Sequence, residues 1–267
     1  MRDLGASGLL LGPVFESATH GYDTLDHMHI DVRLGGDAAF DQLVAACRDM
    51  GLQVMLDGVF NHVSRNHPAV QAALDETAGR LNPADNPWHG LVRAHVGDNG
   101  EPVLDVFEGH GDLVALDHSA DETVDYVAHV MIHWLDRGAA GWRLDAAYAV
   151  PSPFWARVLP QVKAGHPYSW IFGEVIHGDY PRIIEESTMD SITQYELWKS
   201  IQHALETENF FELDWNLKRH NAFLDSFVPQ TFIGNHDVTR IASQIGPARA
   251  ALALAVLMTV GGVPSIY

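Results

Sequence analysis

An α/β fold with a parallel sheet is predicted by two features of the sequence. Short apolar runs alternate with segments of helical periodicity along the 267 residues, as in consecutive β/α units. Polar residues directly follow four of these runs, at the carboxyl ends of the predicted strands. In a (β/α)8 barrel these ends and the loops after them form the active-site face. The sequence therefore predicts a TIM barrel with one small inserted subdomain.

Seven apolar runs are predicted to form strands, and helices are predicted between them. The strands are Gly8–Val14, Gln53–Leu56, Ala140–Leu144, Trp170–Gly173, Ser191–Gln194, Thr231–Ile233 and Val263–Tyr267. The helices include Ala38–Met50, Ala120–Arg137, Pro153–Ala164, Tyr195–Glu206 and Pro247–Thr259. A doubly wound sheet would also place its site at strand ends. Because no glycine-rich phosphate-binding motif follows any of the strands, a nucleotide-binding sheet is disfavoured.

One interval breaks the alternation of strands and helices. Between Ser64 and Asp112 the sequence is rich in Gly, Pro, Asn, Asp and His and shows no long periodicity. A long irregular stretch in a compact domain is usually functional or disordered. We therefore predict a barrel part at residues 1–63 with barrel strands two and three, an inserted subdomain at 64–112 after strand three, and a second barrel part at 113–267 with strands four to eight.

The charge balance is strongly acidic, with 16 Lys and Arg against 35 Asp and Glu and a net charge of −19. Such a surface repels phosphate backbones and anionic lipids, so neither nucleic acid nor a membrane is an expected partner. A neutral substrate fits better, although the acidity is equally typical of a soluble surface. The composition leaves the oligomeric state open.

Neither cysteine content nor apolar segments indicate export. The single cysteine, Cys47, cannot form an internal disulfide. The apolar runs near the start and at Ala248–Val260 are too short to span a bilayer, and no basic leader precedes the first. We expect a cytoplasmic protein, an expectation that a further N-terminal segment would change.

Two strand-end carboxylates match the needs of glycoside cleavage. One carboxyl group must protonate the leaving oxygen while a second attacks or stabilises the oxocarbenium-like centre. Asp145 and Glu174 each end a predicted strand, and neighbouring barrel strands would bring them to the separation of about 5–5.5 Å expected for retention. Arg143 lies two residues before Asp145, on the same side of its strand, where its charge would favour the ionised carboxylate.

Five short segments occur together in a characteristic order. They are Asp57–His62 (DGVFNH), Gly111–Asp117 (GDLVALD), Gly141–Asp145 (GWRLD), Gly173–Glu174 and Phe232–Asp237 (FIGNHD). Together they resemble the signatures of the α-amylase superfamily, glycoside hydrolase family 13, over essentially the whole sequence. That family has a TIM barrel with a short domain inserted after barrel strand three, which corresponds to the irregular interval.

The resemblance implies roles for three carboxylates. Asp145 would be the nucleophile, Glu174 the general acid and base, and Asp237 the third carboxylate, which distorts and stabilises the sugar in the transition state. Arg143 would support the nucleophile. Asp57 is interpreted as an architectural hydrogen-bonding group rather than a catalyst.

Further substrate-binding residues follow from the same resemblance. His62 and His236 would hydrogen-bond the sugar in the cleaved subsite. The alternative for each is a core histidine whose ring is hydrogen-bonded within the protein. Tyr22, in the segment His20–Asp26 (HGYDTLD), would stack on that sugar. Asp23 would help recognise a terminal sugar or would simply cap the turn. This segment resembles that of the oligosaccharide-acting members, including α-glucosidases and cyclomaltodextrinases.

The calcium site of starch-type relatives is only partly matched. Asn61 and Asp117 correspond to two of its positions, but the Lys-His pair that often follows the nucleophile is replaced by Ala146-Ala-Tyr. Two oxygen ligands fall short of the six to eight that calcium prefers. We therefore predict that no cofactor is required and assign no metal ligand.

The ends of the sequence suggest a fragment of a longer protein. Relative to the family, it begins where the first helix would finish and stops inside the eighth strand. The missing strand would leave unpaired edges on Gly8–Val14 and Val263–Tyr267. We thus expect a truncated catalytic domain.

The prediction is a retaining hydrolase of α-glucosidic bonds in oligosaccharides or α-glucans, acting through a covalent glycosyl-enzyme. Transglycosylation and isomerisation share that intermediate and are the alternatives to hydrolysis. A catalytically silent sugar-binding module is a further alternative, although all three carboxylates are present. A metal-dependent hydrolase, suggested by His27 and His29 in a predicted loop, lacks the rest of a ligand series.

Overall fold

A computed structural model describes all residues from Met1 to Tyr267. The strands are β1 Gly8–Leu10, β2 Phe15–Ser17, β3 Thr24–Ile30, β4 Gln53–Gly58, β5 His62–Ser64, β6 Ala94–Val96, β7 Pro102–Leu104, β8 Leu113–Ala115, β9 Gly141–Leu144, β10 Trp170–Gly173, β11 Ser191–Ile192, β12 Gln230–Phe232 and β13 Val263–Ser265. The helices are α1 Gly36–Asp49, α2 Pro68–Thr77, α3 Asp121–Asp136, α4 Ser152–Gly165, α5 Tyr180–Ser187, α6 Tyr195–Thr207, α7 Phe211–Phe223, α8 Ile241–Ile245 and α9 Pro247–Leu257. Every predicted strand and helix overlaps an observed one. None of the helices combines the length and the apolar character needed to cross a bilayer.

The chain divides into two compact units, Met1–Ile171 and Phe172–Tyr267. In the first unit β1, β4 and β9 are neighbouring parallel strands. The amide of Trp170, at the start of β10, donates to the carbonyl of Ala140 at 3.1 Å, just before β9. Parallel strands of this kind are joined by helices, which explains the βαβ alternation in the sequence.

The core of the first unit is built around two tryptophans. Trp142 of β9 and Trp134 of α3 are fully buried, and Phe15 packs between them with ring centroids 6.0 and 5.3 Å away. The Trp134 indole N–H donates to the carbonyl of His27 at 2.8 Å, so its one polar atom is satisfied. Phe40 of α1 meets Trp134 edge-on at 5.0 Å, which explains the apolar face predicted for that helix.

The interval between β4 and α3 contains more regular structure than its composition indicates. It holds α2 and two antiparallel strand pairs, β5 with β8 and β6 with β7. Apolar side chains from this interval form a small cluster that includes Val63, Val70, Leu91 and Val114. Helix α2 begins with Pro68 and is capped by His67, whose Nδ1 accepts the amide of Ala69 at 3.1 Å.

The second unit repeats the parallel arrangement. Strand β11 pairs with the Phe172–Gly173 end of β10, Thr193 bridges to Gln230, and β12 pairs with β13. Helices α6 and α9 and strand β12 supply most of the apolar core of this unit. Each strand is only two to four residues long, so the strand ends lie close to the polar residues that follow them.

The antiparallel hairpin of β2 and β3 is absent from the prediction, and the placement of His27 and His29 in a loop was wrong. Both lie on β3. His27 is fully buried, and its two ring nitrogens contact the carbonyl of Val59 at 2.9 Å and the hydroxyl of Tyr126 at 3.0 Å. The strand was missed because its inward positions include this polar residue, which breaks the apolar alternation.

Replacing Gly141 by alanine should destabilise the protein strongly. A methyl group built on Gly141 would overlap the backbone carbonyl oxygen of Trp170, and neither strand can move without losing its ladder. We expect the free energy of unfolding in urea to fall by about 3 kcal/mol. Gly165→Ala at the end of α4, where a methyl meets open space, is the control and should be neutral or slightly stabilising. Equal stability of the two variants would contradict the close approach of these strands.

Stability should decline between pH 6.5 and 4 because of His67. Burial lowers the pKa of His67 to about 4 from a usual value of 6.5. In this window the unfolded chain binds a proton that the folded chain does not, so the free energy of unfolding rises with pH by up to about 1.4 kcal/mol per unit for this group. His67→Asn keeps a capping acceptor and should reduce the slope in urea titrations at several pH values; His27 and His62, whose pKa values burial also lowers to about 4, supply the rest. An unchanged slope in the His67 variant would refute the assignment.

Candidate active site

The first unit holds a buried ion cluster, the Arg143 cluster, made of Arg143, Asp57 and Asp145. Nη1 of Arg143 donates to both carboxylate oxygens of Asp57 at 2.7 Å and to Oδ1 of Asp145 at 3.1 Å. The exposed fractions of the three residues are 6%, 1% and 8%. Burying an unpaired charge is very costly. These three residues can be buried because their charges contact one another.

Strand register brings the members of the Arg143 cluster together. Asp57 and Arg143 are direct partners in the parallel β4–β9 pair. Asp145 follows β9, and its amide donates to the carbonyl of Gly58 at 3.0 Å, which continues the ladder by one residue. Ala146 then turns the chain with φ 45 and ψ 35, a left-handed conformation that is unfavourable for alanine. Asp145 therefore sits on a fixed strand end followed by a strained turn.

Tyr22 and His62 lie beside this cluster. The Tyr22 hydroxyl donates to Oδ2 of Asp57 at 3.4 Å, and His62 Nε2 lies 3.1 Å from the carbonyl of Tyr22. The side-chain amide of Asn61 lies 3.0 Å from His62 Nδ1, which indicates a proton on Nε2. Desolvation lowers the pKa of His62 to about 4, so the ring is neutral at physiological pH. Both ring nitrogens are engaged within the protein, and sugar binding by His62 stays a prediction.

Asp23 is held within its own turn. Its carboxylate accepts the Thr19 amide at 3.1 Å, the Thr19 hydroxyl at 2.6 Å and the His20 amide at 3.2 Å. Although desolvation opposes it, hydrogen bonding from Thr19 and His20 holds the pKa of Asp23 below its usual value. These are the contacts of a turn-capping aspartate, and they occupy both of its oxygens. Sugar recognition by Asp23 stays a prediction.

An aromatic residue outside the quoted motifs stacks on the predicted sugar-binding histidine. Phe107 and His62 lie with ring centroids 4.8 Å apart and planes at 16°. The next residue, Glu108, accepts the Tyr148 hydroxyl at 3.1 Å and has a left-handed φ of 48. Phe107 thereby limits the orientation of the His62 ring. No sequence signal singled it out, because it lies in the irregular interval.

The second unit holds another set of polar contacts, the Glu174 network, made of Glu174, Tyr195, Asn235 and Asp237. The Tyr195 hydroxyl donates to Oε1 of Glu174 at 2.9 Å. Nδ2 of Asn235 donates to the Tyr195 hydroxyl and to Oδ2 of Asp237, both at 2.9 Å. Each member lies shortly after a strand: Glu174 directly follows β10, Tyr195 follows β11 after a two-residue link, and the other two follow β12.

Burial differs sharply along the Glu174 network. Glu174 and Tyr195 are each 7% exposed, whereas more than half of the Asp237 side chain is accessible. His236 lies beside Asp237, with its Nε2 3.4 Å from Oδ1 of that carboxylate. The backbone after Glu174 is fixed by Thr193, whose hydroxyl accepts the Val175 amide at 2.8 Å. The buried end of the network is thus rigid, and the open end faces solvent.

Asn61 and Asp117, which match two positions of the family's calcium site, are engaged in contacts within the protein. The Asn61 amide is directed at His62, and Oδ1 of Asp117 accepts the Ser119 amide and hydroxyl at 3.0 and 2.6 Å. The Arg93 guanidinium lies 3.8 Å from the same oxygen. A hard cation needs several free oxygens, and a neighbouring guanidinium opposes its binding.

Comparison with known proteins decides the family. The model of the α-amylase catalytic domain matches residues 1–267. The chain belongs to the α-amylase family. The fold and the order of its strand-end residues agree with that membership, since the similar solved structures are family enzymes with parallel sheets and helices.

Several members of the α-amylase family are similar over the entire chain. A maltogenic α-amylase from Bacillus acidopullulyticus is 28% identical over 276 residues, covering 100% of this chain and 46% of the relative. A cyclomaltodextrinase from Thermoanaerobacter pseudethanolicus is 29% identical over 280 residues, covering 100% and 48%. A cyclic α-maltosyl-(1→6)-maltose hydrolase from Arthrobacter globiformis, solved with maltose, superposes with a TM-score of 0.85 at 27% identity, covering 100% and 62%. The chain spans about half the length of the curated relatives.

Sequence reasoning placed charged groups at the strand ends of both units but missed two neutral ones. Arg143 contacts Asp145, as expected from their spacing, and also Asp57. Tyr195 was not singled out, although it follows a predicted strand. Asn235 lies within the FIGNHD segment, but no role was predicted for it.

Asp57→Asn should destabilise this chain substantially. The amide removes one of the two carboxylates that neutralise the buried Arg143, and breaking a buried pair costs about 3 kcal/mol. Urea unfolding would measure the loss. Asp121→Asn is the matched control, because its ion pair with Arg157 is 87% exposed on the aspartate side and contributes little. A loss no larger than that of the control would contradict the central position of Asp57.

Proposed function

We propose that the chain is the catalytic part of a retaining glycoside hydrolase that cleaves α-glucosidic bonds in oligosaccharides or α-glucans. The observation that carries the proposal is the pairing of Asp145 with the buried Arg143 at the end of β9. This contact holds a carboxylate in one orientation on a rigid strand, as a nucleophile requires. Glu174, held separately through Tyr195, supplies the second carboxyl group of the two-carboxylate chemistry.

The reaction would proceed in two steps. A carboxylate oxygen of Asp145 attacks the anomeric carbon while the bond to the leaving oxygen breaks, and that oxygen takes the proton of Glu174. Water then attacks the same carbon and releases Asp145, and its proton passes to Glu174. Two inversions give net retention, and the sum is one glycosidic bond and one water converted to two sugars.

Other residues would bind the sugar rather than react with it. Tyr22 offers a ring face for stacking beside the Arg143 cluster. His62 is proposed to hydrogen-bond the sugar by exchanging one of its present partners, Asn61 or the Tyr22 carbonyl. Asp237 and His236, at the exposed end of the Glu174 network, are proposed to contact the hydroxyls of the same sugar. Asp23 is proposed as a weaker contributor, because its oxygens are engaged in the turn.

The proposed substrate is a neutral oligosaccharide or α-glucan. Relatives named maltogenic α-amylase and cyclomaltodextrinase support this class, and the net charge of −19 is compatible with an uncharged ligand. We further propose that the reaction needs no metal or cofactor, that residues 64–112 form a subdomain inserted into the barrel, and that the protein is cytoplasmic. If a sugar hydroxyl instead of water attacked the glycosyl-enzyme, the reaction would be transglycosylation.

Asp145→Asn should abolish turnover; because it also removes a carboxylate paired with Arg143, the variant is assayed under conditions where circular dichroism shows it folded. Without a nucleophile no glycosyl-enzyme forms, so kcat on maltooligosaccharides should fall by roughly four orders of magnitude or more. The assay uses the protein at full length and follows product anomers by NMR, where the unaltered protein should yield the α-anomer first. Asp121→Asn controls for the chemical change. Inversion by the unaltered protein, or substantial activity of the Asp145 variant, would overturn the proposal.

A further inference from the structure

The hydrogen bonds of the Glu174 network have a fixed direction. Oδ1 of Asn235 accepts the amide of Asp237 at 3.2 Å, so the side-chain nitrogen must face the other way. Both hydrogens of that nitrogen are directed at acceptors, one at Oδ2 of Asp237 and one at the Tyr195 oxygen. An amide nitrogen donates and cannot accept. The orientation of Asn235 is therefore set by its own network.

This direction determines where the Tyr195 proton lies. The phenol carries one hydrogen, and its oxygen already accepts from Asn235. Its hydrogen is accordingly donated to Oε1 of Glu174, 2.9 Å away. This contact restricts the rotation of the Glu174 carboxyl group about its last side-chain bond.

The Tyr195 side chain has little freedom to leave this position. The residue is 7% exposed, and its ring packs edge-on against Phe232 at 5.0 Å and Trp198 at 5.6 Å. It is also the first residue of α6, where the Gln194 side chain caps the helix by accepting the amide of Leu197 at 3.2 Å. Both the ring and the backbone that carries it are thus immobilised before any substrate binds.

We propose that Tyr195 is a positioning residue for the general acid: its hydroxyl holds the Glu174 carboxyl group in one orientation through Oε1, and Asn235 sets the direction of that hydroxyl. The inference rests on the proposed function, in which Glu174 is the acid. Proton donation is useful only from the oxygen that faces the leaving group, so a rotated carboxyl group loses that function. Asp237 is connected to the same acid through two neutral side chains.

The test compares two leaving groups in the full-length protein. Tyr195→Phe removes the hydroxyl and retains the ring. Maltotriose releases a sugar alkoxide that needs the proton, whereas α-glucosyl fluoride releases fluoride, which needs it far less. We expect kcat/KM for maltotriose to fall about 10- to 100-fold, as for a lost hydrogen bond to a charged group, and kcat/KM for the fluoride to change less than about threefold.

A matched control removes a partly buried tyrosine hydroxyl that lies outside the Glu174 network. The Tyr126 hydroxyl lies 3.0 Å from Nδ1 of His27. Tyr126→Phe should leave the ratio of the two kcat/KM values unchanged. Asn235→Ala is the second test variant: it frees the Tyr195 hydroxyl to rotate and should give the same leaving-group selectivity at about 3- to 10-fold. Because both act through one contact, the double variant should lose less than the product of the single losses.

The possible failures are distinguishable. Absence of hydrolysis by the unaltered protein on both substrates would overturn the proposed function. An active unaltered protein whose Tyr195→Phe variant keeps full activity, or loses equally on both substrates, would overturn the positioning role alone. Should Tyr195→Phe fail to fold by circular dichroism, Asn235→Ala decides, and an unchanged substrate ratio in that variant would likewise refute the proposal.

Discussion

The buried guanidinium of Arg143 is the constraint on which the first unit depends. A positive charge that is 94% shielded from solvent requires compensation, and Asp57 and Asp145 supply it from the two adjacent strand ends. That compensation exists only in the observed β4–β9 register, since a slip of one residue would turn every side chain to the opposite face. The ion cluster therefore specifies the pairing of two strands as well as the orientation of a carboxylate.

Apolar side chains on the other face of β9 offset the cost of burying the Arg143 cluster in this register. Trp142 and Leu144 alternate with the charged positions and are fully buried, so β9 presents a core face and a polar face at once. Gly141 permits the backbone of Trp170 to approach closely, which no larger residue would allow. Packing thus supplies the free energy that offsets the cost of confining three charges, and the strand end inherits the rigidity of the core.

In the second unit, neutral side chains contact the buried carboxyl group. Glu174 is as buried as Asp145, and the Tyr195 hydroxyl donates to its Oε1 at 2.9 Å. Asn235 in turn donates to the Tyr195 hydroxyl, so the contact with Glu174 has a fixed direction. Side chains that follow three different strands thus meet at one carboxyl group.

The sequence by itself determined the α/β class, the positions of seven strands and five helices, and the charged residues at the strand ends, because periodicity and local motifs are properties of neighbouring positions. The hairpin β2–β3 and the strand pairs between β4 and α3 were decided by tertiary packing, since their apolar alternation is interrupted by buried polar residues such as His27. The partners of the carboxylates were also decided by the tertiary structure. Asp57 contacts Arg143 across 86 positions and Asn235 contacts Tyr195 across 40, and such contacts arise only when the chain places distant strand ends side by side.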